Sequence, residues 1–275
     1  MLNQTPQAPA SAAFLKLLEI MAKLRDPKGG CPWDLDQSFR TIVPHTIEEA
    51  YEVADAIEQD DLESLKSELG DLLFQTVFYA QMAREAGTFD MADVLEGLNA
   101  KMIRRHPHVF GTLEIADAAE QTHAWEKQKA EERAAEAAAK GIKPSAVDGV
   151  IPGLPALTRA EKLQKRAARV GFDWPEAAQV LDKIAEETRE IHAALEEKLP
   201  KESVAEEIGD LLFAVVNLAR HLEIDSEGAL RAANRKFERR FRKVEEILGR
   251  QGKEPAGSTL DEMEAAWVQA KQEER

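Results

Sequence analysis

Cysteine is almost absent: Cys31 is the single one in 275 residues. That excludes an internal disulfide and a thiolate-bound zinc site, and Cys31 reads as a small apolar residue rather than a nucleophile. Bases are in deficit, 36 Lys and Arg against 51 Asp and Glu, for a formal net charge of −15. Such a chain lacks the basic face that a nucleic acid polymer or an anionic membrane would want, so neither is expected as a partner. No run of 18 or more apolar residues occurs, which excludes a transmembrane helix. The opening MLNQTPQAPASAA has neither a basic n-region nor an apolar h-region and does not read as a secretory signal. A cytoplasmic protein is the expectation. There is no Walker A loop, no GxGxxG and no EF-hand loop, so the common phosphate and calcium motifs are missing. Strand alternation with hairpin signals is missing too.

What is there is amphipathic helix, and the fold class expected is all-α. Phe14, Leu17, Leu18, Met21 and Leu24 form one stripe at helical spacing over 13–24. Pro27, Gly29, Gly30 and Pro32 break it. Further helices are expected over about 45–58, 62–85, 90–106 and 116–139, with Asp60 or Asp61 capping the second of these. His45 reads as a helix-entry residue rather than a base. The tract at 126–140 is a helix-forming, charged surface segment, and the closing KQEER a fraying end. Residues 140–156 carry three Gly and three Pro and mark the best boundary. The expected domains are 1–139 and 157–275, with 140–156 as the linker.

The second half repeats the first. Glu68-Leu-Gly-Asp71-Leu-Leu-Phe74 matches Glu207-Ile-Gly-Asp210-Leu-Leu-Phe213 at a shift of 139. Glu48-Glu49-x-x-Glu52 matches Glu186-Glu187-x-x-Glu190 at a shift of 138, and Asn99-x-Lys101-x-x-Arg104-Arg105 matches Asn234-x-Lys236-x-x-Arg239-Arg240 at a shift of 135. Trp125 and Trp267 each stand in a terminal helix. Four features in one order imply an internal duplication.

In the second copy Glu187 and Glu190 share a helix face, as do Glu207 and Asp210 on the next helix, with Glu186 beside Glu190. The short turn around Pro200 makes those helices antiparallel neighbours. Four or more carboxylates then face a common space and need a counter-charge. An all-carboxylate set suits Mg²⁺, with Mn²⁺ or Ca²⁺ as further hard ions, over zinc or copper. A di-iron bundle would want two Glu-x-x-His elements, and only Glu120 to His123 fits that spacing. Bases lie on the flanking helices: Lys236, Arg239 and Arg240 on one, Lys162, Lys165 and Arg166 on another. Arg and Lys at such spacing suit phosphate oxygens.

Together these residues resemble the MazG family of nucleoside triphosphate pyrophosphohydrolases. The resemblance extends beyond the acids, to GGCPWD at 29–34, KMIRRHPHVFG at 101–111, GLPAL at 153–157, QKRAARVGFDW at 164–174 and NRKFERRF at 234–241. It implies two tandem four-helix-type modules and a homodimeric helical bundle. It implies a divalent cation, Mg²⁺ or alternatively Mn²⁺, held by Glu187, Glu190, Glu207 and Asp210, with Glu186 orienting a ligand or the attacking water. Lys236 and Arg240, with Arg239 and with Lys162 or Lys165, would grip a triphosphate, and Trp267 would pack on the base or anchor its own helix. The first copy offers Glu49, Glu52, Glu68, Asp71, Lys101 and Arg105 at matching positions. The second copy, denser in bases at both ends, is the favoured catalytic one. Three functions stay open at this point: hydrolysis of a broad range of nucleoside triphosphates to monophosphate and pyrophosphate, a pyrimidine-selective version of it, and nucleotide sensing without turnover.

Overall fold

The protein is described here by a computed structural model covering residues 7–113, 117–139 and 141–274. The first six residues of the opening segment, Lys140, Arg275 and the side chain of His123 lie outside the described residues. Every regular element among the described residues is helical. The chain divides into two compact units, residues 1–128 and 129–275.

The first unit runs through α1 (Gln7–Leu24), α2 (Pro32–Asp36), α3 (Phe39–Glu58), α4 (Leu62–Glu85), α5 (Met91–Arg105) and α6 (Pro107–Phe110), and the division falls within α7 (Ala118–Ala139). The second unit holds α8 (Ala156–Ala168), α9 (Ala177–Glu196), α10 (Lys201–His221), α11 (Ser226–Arg250) and α12 (Leu260–Glu273). No helix among the described residues is long and apolar enough to cross a membrane.

Two antiparallel hairpins, α3–α4 and α9–α10, form the centre of each unit. Each closes through one residue in the left-handed region, Asp60 at φ 54° and Lys198 at φ 54°, which stand 138 positions apart. The duplication is therefore visible in the turn conformation as well as in the letters. Asp61 caps α4 by accepting from the Glu63 and Ser64 amides at 3.1 Å, as expected for one of the two aspartates. Helix α3 starts six residues earlier than its apolar pattern suggests. Pro44 sits only in the second turn, where it forfeits one backbone hydrogen bond. The true start is set by a reciprocal cap: Thr41 donates its amide to Ser38 Oγ at 3.3 Å, and the Ser38 amide donates to Thr41 Oγ1 at 2.8 Å.

The α1 stripe is the core face of the first unit. Met21 is fully buried, and Phe14, Leu17 and Leu18 pack beside it against Ile42 of α3 and Val77 and Phe78 of α4. Burying a side chain of that size contributes about 1.5–3 kcal/mol, so α1 is an integral wall of the hairpin. In the second unit Val244, Ile247 and Leu248 of α11 meet Ala266 and Ala270 of α12.

Each unit also ties the loop after its first helix to the far end of the hairpin. Arg25 bonds Glu85 of α4 at 2.7 Å, donates to the Asp34 carbonyl, and lies over the Phe78 ring at 5.3 Å. Gly30 is required in that loop, because a Cβ there would meet the Asp26 carbonyl oxygen at 2.7 Å and collide with that of Leu24. In the second unit the polarity is reversed: Asp173 of the loop accepts from Arg220 of α10, and His221 stands 3.2 Å away.

Candidate metal and phosphate site

The E-E-x-x-E segments fall on α3 and α9, and the E-x-x-D segments on α4 and α10. Because each pair is an antiparallel hairpin, acids three apart on one helix meet acids three apart on the next. In the first unit Glu49, Glu68 and Asp71 each bring a carboxylate oxygen to within 4.8 Å of the others. In the second unit Glu187, Glu190 and Glu207 do so. Three of the four expected acids thus converge in each copy, and the fourth differs. Glu52 stands outside the first trio yet lies near enough to Glu49 to raise its carboxyl. Asp210 is exposed and stands outside the second.

The electrostatics are those of crowded carboxylates. Glu49 is pushed above the usual carboxylate range by burial, by its hydrogen bond to Glu52, and by repulsion from Glu52, Asp71 and Glu68. Glu68 is raised by burial and by Glu52 and Asp71. Glu190 is raised by its hydrogen bond to Glu187, by burial and by repulsion from Glu187, with Glu207 adding to it. Ligands on a Mg²⁺ ion lie about 2.1 Å from it, so opposite ligands are about 4 Å apart. An all-oxygen donor set of this span fits a hard divalent cation, and the mutual repulsion is what such a charge would relieve.

One side chain beside the acids is not among the residues the sequence singles out. Lys183, one turn ahead of Glu187 on α9, bonds Glu186 at 2.7 Å and Glu187 at 2.8 Å. Glu187 is only 4% exposed, so the ammonium is the resident counter-charge of the most buried acid in the set. The two bonds hold Lys183 above its usual range and Glu186 below the usual carboxylate range. The signal was there, in the i, i+4 spacing of Lys183 and Glu187 and in the demand for a counter-charge.

The expected phosphate-binding residues are placed less uniformly. Helix α8, carrying Lys162 and Lys165, packs against α10 and α11. Lys162 is exposed, and Lys165 pairs with Glu161 on its own helix. Lys236 on α11 is exposed. Arg239 and Arg240 share one acceptor, Glu274, at 3.0 and 2.6 Å. Trp267 packs on the α11–α12 core, with Phe237 at 5.5 Å and the Arg240 guanidinium at 5.9 Å from its ring, so it anchors its helix and also backs Arg240. In the first unit Lys101 is half-buried, and Trp125 donates to the Arg105 carbonyl at 2.8 Å and meets His106 edge-on. The Leu-Leu-Phe that follows each second acidic pair is less buried than its composition suggests: Phe74 joins the core, but Leu73, Leu212 and Phe213 are exposed.

Comparison with known proteins follows the same division. A MazG nucleotide pyrophosphohydrolase domain matches residues 37–110 and again residues 176–245. These stretches contain both hairpins and both carboxylate trios. The nucleoside triphosphate pyrophosphohydrolase of Escherichia coli K12 is 51% identical over 260 residues, covering 94% of this chain and 97% of the relative. The Thermotoga maritima nucleoside triphosphate pyrophosphohydrolase/pyrophosphatase MazG is 44% identical over 263 residues, covering 95% and 97%. A Mycobacterium tuberculosis nucleoside triphosphate pyrophosphohydrolase is 32% identical over 167 residues, covering 60% of this chain and 49% of the relative. With the domain matched in both halves and two relatives aligned nearly end to end, the chain belongs to the MazG nucleotide pyrophosphohydrolase family.

Proposed function

We propose that this protein hydrolyses nucleoside triphosphates between the α and β phosphates, releasing monophosphate and pyrophosphate, with a broad choice of base and sugar. The observation that carries the reading is the convergence of Glu187, Glu190 and Glu207 on one point between α9 and α10, repeated by Glu49, Glu68 and Asp71 between α3 and α4. Mg²⁺, or Mn²⁺ in its place, would be held by these carboxylates with Asp210 and Glu52 at the margin, and would supply phosphate charge neutralisation and a more acidic water. Of the chain's own groups, Glu186, Glu187 and Glu190 would place an attacking water in line, and one of these carboxylates would take its proton. Lys236, Arg239 and Arg240, with Lys162 or Lys165, bind the triphosphate and stabilise charge on the departing pyrophosphate. Positioning and charge stabilisation dominate, because phosphoryl transfer asks little covalent help of the protein.

The MazG-like modules in this reading are 1–139 and 157–275, joined by 140–156. The second module is favoured for turnover. The protein acts in the cytoplasm as a homodimer. Support for dimerisation comes from a stripe on α3, where Phe39, Val43, Ile47 and Tyr51 repeat every fourth residue and all remain exposed.

The test is incubation with each nucleoside triphosphate and Mg²⁺, followed by separation of products. Monophosphate and pyrophosphate from most substrates support the reading. Products from pyrimidine substrates alone point to the selective enzyme, and binding without products to a sensor.

A further inference from the structure

The two carboxylate trios occupy equivalent places in their hairpins but differ in what lies one turn ahead. On α9 that residue is Lys183, bonded to Glu186 and Glu187 at 2.7 and 2.8 Å. The residue 138 positions earlier, the repeat distance of this segment, is His45. Its ring nitrogen lies 3.9 Å from Glu48, the counterpart of Glu186. The contrast is one of charge and of aim. Lysine brings a full positive charge onto the buried acid of its trio, whereas an imidazole can be neutral, and this one faces the outer acid. Arg189 on the same helix turns instead to a backbone carbonyl, bonding Ala185 O at 3.2 Å.

We propose that Lys183 makes the two sites unequal toward free divalent cation: the first trio takes up the ion directly, whereas the second takes it up weakly because the ammonium already occupies Glu187. A cation entering the second trio must either displace the ammonium from Glu187 or share that carboxylate with it, and like charges a few ångströms apart repel. Lys183 is thus a positioning residue that couples metal loading of the second module to whatever draws the ammonium away. The inference rests on the reading of both trios as cation sites.

The experiment is Mn²⁺ binding to the full chain at pH 8 without nucleotide, followed by electron paramagnetic resonance and by calorimetry. Glu68→Gln and Glu207→Gln assign each binding event to its module. In the wild type the event lost in Glu68→Gln is expected to be about tenfold or more tighter than the one lost in Glu207→Gln. Lys183→Gln is expected to tighten the second site by about the same factor, Lys183→Arg to leave it weak, and His45→Lys to weaken the first. Circular dichroism confirms that each variant is folded. Equal affinities in the wild type, or a second site unmoved by Lys183→Gln, overturn the inference while leaving both cation sites standing. If neither Glu68→Gln nor Glu207→Gln removes a bound ion, the cation reading itself fails, and the inference with it.

Discussion

In the first unit Glu49 faces Glu52, Glu68 and Asp71, and burial together with those neighbours raises it. In the second unit Glu187 is more buried but carries the Lys183 ammonium at 2.8 Å. The same hairpin, closed at the equivalent position by a left-handed residue (Asp60 in one unit, Lys198 in the other), has thus solved one electrostatic problem in two ways. One copy leaves its carboxylates in mutual repulsion; the other relieves part of it internally through Lys183. The loop latches diverge in the same manner. Arginine reaches from loop to helix in the first unit and from helix to loop in the second. Duplication preserved the geometry of converging helices and left the sign and source of the compensating charge free to drift.

The largest effects should come from the acids themselves. Glu190→Gln or Asp210→Asn is expected to lower Mg²⁺-dependent pyrophosphate release by about a thousandfold or more, with helicity by circular dichroism unchanged. Glu52→Gln or Asp71→Asn should cost far less, because the second module is the favoured catalyst; the reverse ranking in the same assay would transfer catalysis to the first. Next come the latches. Arg25 is 9% exposed and serves Glu85 together with the Asp34 carbonyl, so Arg25→Met should lose about 2–4 kcal/mol in a denaturant titration. Arg220→Met, which removes a partner from both Asp173 and Asn217, should lose a comparable amount, and a negligible loss in one of them would show that the reversed latch is not equivalent.

Acid sensitivity sharpens the comparison. Glu85 is held low by its hydrogen bonds to Arg25. Asp173 is pushed up by burial, but the bond and charge of Arg220 with the nearby His221 outweigh that and hold it low. A carboxyl depressed in the folded state contributes stability above its unfolded value and loses it as pH falls through the folded one. Both latches should therefore be intact at neutral pH and fail below the ordinary carboxylate range. Removing either arginine should move the midpoint of acid unfolding, followed by tryptophan fluorescence, to higher pH. The smallest effect is expected at Glu274, which engages both Arg239 and Arg240. Glu274→Gln should free the two guanidinium groups and lower KM for the triphosphate by about twofold to fivefold, the range of an exposed ion pair. An unchanged KM would place those arginines outside the substrate path.

Much of this was legible in the residues. The α1 stripe, the α4 cap, the duplication and the pairing of acids across a hairpin all follow from helical periodicity and short turns. The expected span 45–58 misses the first turns of α3, whose start is set by the Ser38–Thr41 cap and which carries Pro44 within its second turn. The short α2 and α6 lie in segments dominated by proline and glycine, which read as loop. At the site, spacing tells which acids share a face but not how far each helix is rotated toward its neighbour. It could not separate Asp210, which stands out of the trio, from Asp71, which stands in it. A lysine among helical acids is usually a solvated surface partner, and only the 2.8 Å approach of Lys183 to a buried carboxylate distinguishes it.

The proposal that converging carboxylates on a helix hairpin hold a divalent cation for cleaving the α–β anhydride can be checked by phosphorus NMR of ATP turnover with Mg²⁺. AMP and pyrophosphate are expected as the first products, both lost on addition of EDTA and in Glu190→Gln. Release of ADP and orthophosphate, or undiminished turnover in Glu190→Gln, would contradict it.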